Sequence, residues 1–300
     1  MTASPGDVLL RPLAVKPSRH PLRIASAVLL ASLIVLACLG VKRSGVIDFG
    51  EVPTYLFDSA ILYGLRMTVL MTATSLVLGL VAGLVFALLR LSKNPVARAV
   101  SAGYVWVFLG TPAIVQLIFW YNIGVVIPTL TIGIPGVFEL YSGTTNALLT
   151  PFVAAVIALG LHEGAYYAEI IRSGIISVDQ GQRAAAQSLG MRSSTIMRRV
   201  VLPQAFRVMI PPGMGRVIAL LKDTSLVTVI AGGEMMTEVV AIYSENFLIL
   251  ELLLVASIWY LVAVSLLMVA QRHVERWANR YEHRTTASTD RSHTPIPAEQ

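Results

Sequence analysis

The sequence predicts an all-α integral membrane protein with about six transmembrane helices. Hydrophobic residues make up 55% of the 300 residues, charged residues make up 13%, and the mean hydropathy is +0.71. Soluble domains carry about 25% charged residues, so this composition excludes a soluble globular fold. Apolar segments of about 20 residues recur, and at about 1.5 Å per residue each can span a hydrocarbon core about 30 Å thick. The single cysteine, Cys38, excludes a disulfide framework and a thiolate metal cluster, and no other metal-ligand motif is present.

The first two predicted spans are residues 22–41 and 68–89. A polar tail, residues 1–21, precedes the first span, and no small-residue cleavage site follows that span. We therefore expect a retained helix instead of a signal peptide. The second span contains Gly79 and Gly83, and this GxxxG spacing predicts a surface where two helix backbones approach closely.

The third predicted span, residues 99–126, is interrupted by Gly110, Thr111 and Pro112. Proline has no backbone N–H and leaves a carbonyl without its helical partner, so we expect a kink here. A connection rich in proline, glycine and threonine follows over residues 127–147 and contains no lysine or arginine.

The last three predicted spans are residues 148–171, 208–231 and 247–270. The fifth is less apolar than the others and opens with Pro211, Pro212 and Gly213. Residues 271–300 are predicted to form a basic, Ser/Thr-rich tail.

The basic residues set the expected orientation. If the N-terminus is cytoplasmic, most of the 23 Lys and Arg residues fall in cytoplasmic loops and tails, and only Lys42, Arg43 and Arg66 fall outside. Cytoplasmic loops of membrane proteins carry such an excess. The sequence therefore predicts a multi-pass protein of the bacterial cytoplasmic (inner) membrane with both termini in the cytoplasm.

A polar, arginine-rich segment, residues 172–207, lies between the fourth and fifth spans. Residues 181–189 are predicted to form one helix, which Gly190 ends because glycine readily adopts the left-handed conformation of a helix stop. Ser193 or Ser194 is expected to cap a second helix. The pattern resembles a DNA-binding helix-turn-helix, but both ends are tied to membrane spans and cannot enter a major groove. A docking element for a protein partner is the better interpretation, and no nucleic-acid partner is expected.

At these residues the chain resembles the EAA loop of ABC importer permeases, in the branch that imports polar amino acids. Ala185, Ala186, Gly190, Leu202 and Pro203 stand at the motif's alanine, glycine and Leu-Pro positions. The resemblance covers residues 64–270 and implies a five-helix type I permease core, with residues 22–41 as an additional N-terminal helix.

One position departs from this motif, because Ala184 stands where the family has a glutamate. In such permeases that carboxylate helps to fix the coupling helix in a groove of the ATPase. Arg183 or Gln187 could provide other polar contacts to the ATPase. The departure therefore bears on affinity for the ATPase, or on the choice of ATPase.

The resemblance also implies an assembly. Two permease copies, as a homodimer or a heterodimer, would rest on two ABC ATPase subunits, and an external binding protein would deliver the amino acid. The chain itself would bind no cofactor and would not be an enzyme, since ATP and Mg²⁺ would be held by the ATPase. Open alternatives are another small polar solute, such as an opine or an amino acid derivative, and an ATP-independent channel or secondary transporter.

Ionisable residues inside predicted spans mark the expected translocation pathway, because such groups are expensive to place in a bilayer unless they face protein or water. Glu163 can line the pathway and receive an ammonium group, or form an internal ion pair with Arg216 or Lys222. Glu169, closer to the cytoplasm, can reach the surface or pair with an arginine, and His162 is expected to form a hydrogen bond in packing. Arg216 and Asp223 lie on one helical face and can share an electrostatic network. The remaining pathway candidates form the run Lys222, Asp223, Thr224 and Ser225, expected to be a helix break or a gate.

Overall fold

The structure is a computed structural model that describes residues 21–134 and 138–279. Most of the two predicted tails, residues 1–20 and 280–300, lies outside the described residues. The chain divides after Phe49 into two compact units, and the first of these contains helix α1 (Pro21–Ser44). All remaining elements belong to the second unit.

The second unit is predominantly helical, in agreement with the predicted fold class. Its helices are α2 (Val52–Leu56), α3 (Ser59–Leu91), α4 (Pro95–Gly110), α5 (Ala113–Tyr121), α6 (Ile123–Val126), α7 (Thr145–Leu148), α8 (Pro151–Ile176), α9 (Gln180–Ser188), α10 (Ser193–Ile196), α11 (Leu202–Asp223), α12 (Met235–Asn246) and α13 (Ile249–Asn279). A π-helical turn (Met197–Val201) precedes α11, and a 3-10 helix (Thr224–Ile230) follows it.

Helices α3 and α8 pack against each other along closely spaced backbones, as the glycine spacing predicts. A Cβ atom at Gly79 would lie only 2.9 Å from Cβ of Glu163 and 3.1 Å from the carbonyl oxygen of Gly160. At Gly83, a Cβ atom would come within 2.5 Å of Cβ of Tyr167. Only glycine permits this approach.

The kink predicted at Pro112 is a complete helix break. Helix α4 ends at Gly110, helix α5 begins at Ala113, and their axes differ in direction by 103°. Gln116 on α5 fastens the break, because its Nε2 lies 2.8 Å from Oγ1 and 3.1 Å from the carbonyl oxygen of Thr111.

A two-stranded antiparallel hairpin follows, which the all-α prediction does not include. Strand β1 (Thr129–Ile134) pairs with β2 (Phe138–Thr144), and the register shifts between Ile132 and Gly133. Threonine and isoleucine make up four of the six residues of β1, and β2 contains Phe138, Tyr141 and Thr144, so short runs with strand propensity are present in both.

Several predicted boundaries differ from the structure. Helix α11 begins well before residue 208, so Pro211 and Pro212 lie inside it. Helix α13 continues to Asn279, so the predicted tail begins as helix. The apolar pattern ends near residue 270. The mostly polar residues that follow, up to Asn279, have good helix propensity, so the helix continues through them.

By length and apolarity, two helices of the described chain qualify as membrane spans, Ser59–Leu91 and Ile249–Ala278. Counting each of two bent pairs as one span raises the number to four: Pro95–Gly110 with Ala113–Tyr121, and Ser193–Ile230 with Met235–Asn246. The first and fourth predicted spans correspond to α1 and α8, which are outside this set. In α8 the polar side chains described below lower the hydropathy.

Candidate functional site

The segment 172–207, which is predicted to lie in the cytoplasm and to dock a partner, is an ordered helical element. Asp179 caps α9, because its side chain accepts a hydrogen bond from the backbone N–H of Gly181. At the other end Gly190 adopts φ +77°, and the backbone N–H groups of Gly190 and Met191 donate to the carbonyls of Gln187 and Ala186. This pair of bonds is a Schellman helix stop, so the prediction for Gly190 is confirmed.

The second half of the element differs from the prediction. Neither Ser193 nor Ser194 caps it, because the helix begins at Ser193 and the preceding Arg192 makes no side-chain cap bond. Pro203 is the second residue of α11 and follows the π-helical turn without a gap. The π-helical turn before it widens the helix where the proline ring would otherwise clash with a carbonyl of the preceding turn.

The three alanines of the element have different environments. Ala186 is buried in a cluster with residues of α8, α10, α11 and the segments that connect them, whereas Ala184 and Ala185 are exposed. The buried members of this cluster are Ile175, Val178, Ala186, Ile196, Val201, Ala205 and Met209. Through this cluster α9 and α10 pack against both α8 and α11, and Ala184 and Ala185 face outward.

Arg183 does not project from the element. Its guanidinium donates to the backbone carbonyl of Ile175, and its side chain is half-buried. Arg183 therefore fastens α9 to the end of α8, and of the two polar residues proposed to contact the ATPase only Gln187 is exposed.

Leu189 was not among the predicted docking residues, yet its side chain is 83% exposed at the end of α9. An isolated leucine in a polar segment has no helical periodicity, so the sequence pattern does not indicate whether its side chain is buried or exposed. Exposed arginines follow Leu189 along the element: Arg192, Arg198 and Arg199. The exposed surface is therefore a small apolar centre with basic neighbours.

Three of the charged residues within the spans, Glu163, Arg216 and Asp223, form one network around Arg216. The Arg216 Nε atom lies 3.1 Å from Oε2 of Glu163, and Nη2 donates a hydrogen bond to Oε1. The guanidinium and the carboxylate therefore form a bidentate ion pair. Glu163 is 1% exposed. Of the alternatives left open for this carboxylate, the structure has the ion pair with Arg216, whereas Lys222 is exposed.

Two further groups contact the same guanidinium. Oδ2 of Asp223 lies 3.8 Å from Arg216 Nη2, and the ring centroid of Tyr166 lies 3.6 Å from the Arg216 carbon Cζ. The predicted Arg216 and Asp223 network is thus present. Tyr166 was missed because an aromatic residue in an apolar helix does not reveal which cation it covers.

Helix α11 changes into the 3-10 helix at the predicted polar run. Thr224 is buried and donates to the carbonyl of Leu221 at 2.7 Å, and Ser225 donates to that of Lys222 at 2.7 Å. The helix changes type at this run but does not end, so the structure has no helix break here, and the gate stays a prediction. The Thr224 hydroxyl bonds within its own turn.

The other two predicted polar positions have structural partners. Glu169 forms an ion pair with Arg172 at 2.7 Å. His162 Nδ1 lies 3.2 Å from Gln116 Nε2, which connects α8 to the broken helix α4–α5. Both residues therefore have the packing or pairing roles expected for them.

Comparison with known proteins adds a family assignment to this geometry. Residues 75–280 match the family model described as a binding-protein-dependent transport system inner membrane component. The chain is 39% identical to the arginine transport system permease protein ArgU of Corynebacterium glutamicum over 276 residues, which cover 92% of this chain and 86% of that protein. It is 37% identical to the L-cystine transport system permease protein TcyB of Bacillus subtilis, with 73% and 86% covered.

Among solved structures, the chain is similar to a crystal structure of an amino acid ABC transporter with histidines. The TM-score is 0.65 and the identity 32%, with 77% of this chain and 98% of that chain covered.

Proposed function

The chain belongs to the family of binding-protein-dependent transport system inner membrane components, and we propose that it passes a polar amino acid from an external binding protein to the cytoplasm. It is an integral membrane protein and the permease subunit of an ABC importer for amino acids. The arginine transporter named above favours a substrate with a cationic side chain.

The observation that carries the coupling role is the ordered element of α9 and α10. It is held between α8 and α11 through buried Ala186 and presents Ala184, Ala185 and Leu189 to the cytoplasm. A helix end with small and apolar exposed residues fits a groove on a soluble partner. In our proposal that partner is an ABC ATPase, which binds ATP and Mg²⁺, while this chain hydrolyses nothing and binds no cofactor.

The proposed complex contains two permease copies, two ATPases and one external binding protein. Closure of the ATPases draws the two coupling elements together, and the helix bundles rotate in alternating access. We assign both termini of this chain to the cytoplasm, in keeping with the distribution of arginines.

In the proposed pathway, the ion pair between Arg216 of α11 and Glu163 of α8 keeps the passage between these two helices closed. Its bond to Glu163 is two-pronged and buried, whereas its contact with Asp223 is at the limit of an ion pair and partly exposed. A cationic group on the substrate can therefore replace Arg216 at Asp223 without exposing Glu163.

The proposal is tested by purifying the full-length chain from its native membrane in mild detergent and measuring co-purified ATPase. We expect near-equal amounts of ATPase and permease from the wild type. Leu189→Asp should lose the ATPase, because docking would bury a carboxylate in place of an apolar side chain at the interface. Phe247→Asp is the matched control, since Phe247 is equally exposed but lies on the other side of the membrane in the proposed topology. A wild-type chain that arrives without ATPase would contradict the proposed coupling role of this element.

A further inference from the structure

Phe247, which connects α12 to α13, has a backbone conformation that phenylalanine rarely adopts. Its φ is +61°, and among the residues that the structure describes only Phe247 and Ala231 combine a positive φ with a side chain. For a large side chain such a φ is an outlier, whereas glycine and asparagine adopt it readily at the end of a helix. The Phe247 side chain is nonetheless 80% exposed, so it gains little packing within the chain. A strained and exposed aromatic residue indicates a role in contact with another molecule.

The turn that holds Phe247 is fastened on both sides. The backbone N–H of Phe247 donates to the carbonyl of Tyr243 at 2.9 Å, where α12 ends. The Asn246 side chain accepts from the N–H of Leu248 at 3.0 Å and donates to Oη of Tyr55 on α2 at 3.1 Å. Leu248 packs against a buried cluster formed by residues of α3, α12 and α13. The turn therefore buries Leu248 and presents the neighbouring Phe247 ring on a fixed backbone.

The surroundings of Phe247 are acidic. Glu245 is exposed in the last turn of α12, and Glu51 is partly exposed at the beginning of α2, one helical turn before Tyr55. Residues 50–65 and 232–271 contain no lysine, arginine or histidine. A molecule that covers Phe247 therefore meets negative charge, and a surface with basic residues around an apolar pocket would complement it.

Phe247 lies outside the hydrocarbon core in the proposed topology. At about 1.5 Å per residue, residues 249–270 of α13 span about 33 Å, and the core is about 30 Å thick. The turn before Ile249 is therefore at the outer surface, on the opposite side of the membrane from α9 and α10. Residues that anchor a helix in the headgroup layer are mainly tryptophan, tyrosine, lysine and arginine. A phenylalanine next to carboxylates fits a protein surface better than a lipid headgroup.

We propose that Phe247 anchors the external binding protein by inserting into an apolar pocket that is surrounded by lysine or arginine. This inference rests on the proposed function, which requires such a protein. A few large side chains, aromatic ones among them, carry most of the binding energy of an interface. Because the turn is already fastened in the free chain, docking orders little additional backbone. The contact with the binding protein offsets the strain at Phe247, which no contact within the chain does.

The test uses the complete permease–ATPase complex in liposomes. The probe is the external binding protein, isolated from the native organism by its binding of radiolabelled polar amino acids. ATP hydrolysis is measured against the concentration of this protein. We expect Phe247→Asn to raise the half-maximal concentration about tenfold, and Phe247→Trp, which retains an aromatic ring, to stay within about twofold of the wild type. Trp277→Asn is the control, because Trp277 is 63% exposed but lies on the cytoplasmic side in the proposed topology, and it should match the wild type.

A purely structural role for Phe247 predicts a different combination of results. Asparagine tolerates the left-handed conformation, so Phe247→Asn should unfold at the same or a higher concentration of sodium dodecyl sulfate than the wild type. An unchanged half-maximal concentration in Phe247→Asn overturns the inference, and this is the result expected if the ring rests in lipid headgroups or only stabilises the turn. Failure of the proposed function is distinguishable, because the binding protein would then not stimulate even the wild-type complex, which overturns both.

Discussion

Replacing Arg216 by methionine is expected to destabilise the protein more than any other single change in the charged network. Arg216→Met keeps most of the side-chain volume but leaves Glu163, which is 1% exposed, without its two-pronged partner. Breaking a buried ion pair from one side costs about 3–5 kcal/mol, since a charge remains buried and uncompensated. The lost contact with the Tyr166 ring adds about 0.5–2 kcal/mol.

The other members of the network are expected to matter less, in a fixed order. Glu163→Gln retains an amide oxygen for Arg216, whose charge still has Asp223 and the Tyr166 ring nearby, so we expect a loss of about 1.5–3 kcal/mol. The Asp223 carboxylate is 37% exposed and 3.8 Å from Arg216. Asp223→Asn should therefore cost less than about 1 kcal/mol.

The double variant Arg216→Met/Glu163→Gln distinguishes a pair from two independent residues. Once Glu163 is neutral, loss of Arg216 leaves no buried charge. The stability lost in the double variant should therefore be smaller than the sum of the two single-variant losses by about 0.5–3 kcal/mol.

The assay is unfolding of the purified chain in mixed micelles by a titration with sodium dodecyl sulfate, followed by tryptophan fluorescence. An additive double variant, or a loss in Asp223→Asn as large as that in Arg216→Met, would refute the reasoning.

Three further variants test separate contacts. Gly79→Ala should lower stability by about 1–3 kcal/mol in the same titration, because its Cβ would press on Glu163, whereas Gly103→Ala, which meets nothing within 4 Å, should be neutral or stabilising. Gly190→Ala should raise hydrogen exchange in α9, because an L-residue at φ +77° costs about 1–2 kcal/mol, and unchanged exchange relative to the control Gly215→Ala would argue against the helix stop. Ala184→Glu should leave stability within about 0.5 kcal/mol, since the site is exposed, and should increase the ATPase retained on purification; unchanged retention would mean that the motif carboxylate has no counterpart on this ATPase.

Features set by local sequence were predictable. The spacing of Gly79 and Gly83 predicts the contact between α3 and α8, and Gly190 predicts the end of α9, because each depends on glycine alone. Pro112 predicts a discontinuity, but the angle of 103° depends on how Gln116 fastens the two helices.

Features set by tertiary packing were not predictable from one sequence. Glu163 could pair with Arg216 or Lys222 on equal grounds, since only the rotation of α11 against α8 decides which cation faces the carboxylate. Arg183 follows the same logic, because its inward direction depends on the carbonyl of Ile175 on another helix. The exposure of Leu189 could not be predicted either, because its segment has no repeating pattern of apolar residues.

Helices α8 and α11 are joined at two heights, by the Glu163–Arg216 ion pair and by the cluster around Ala186. At about 1.5 Å per residue, these junctions lie about 18 Å apart along α8, from Glu163 to Ile175, and about 17 Å apart along α11, from Arg216 to Ala205. The two junctions are therefore separated by nearly equal lengths of the two helices. A relative rotation of about 10° about the ion pair moves the cluster around Ala186 by about 3 Å, roughly the length of one hydrogen bond. A rotation of α8 against α11 therefore displaces the segment of α9 and α10 and changes the geometry of the Glu163–Arg216 ion pair at the same time.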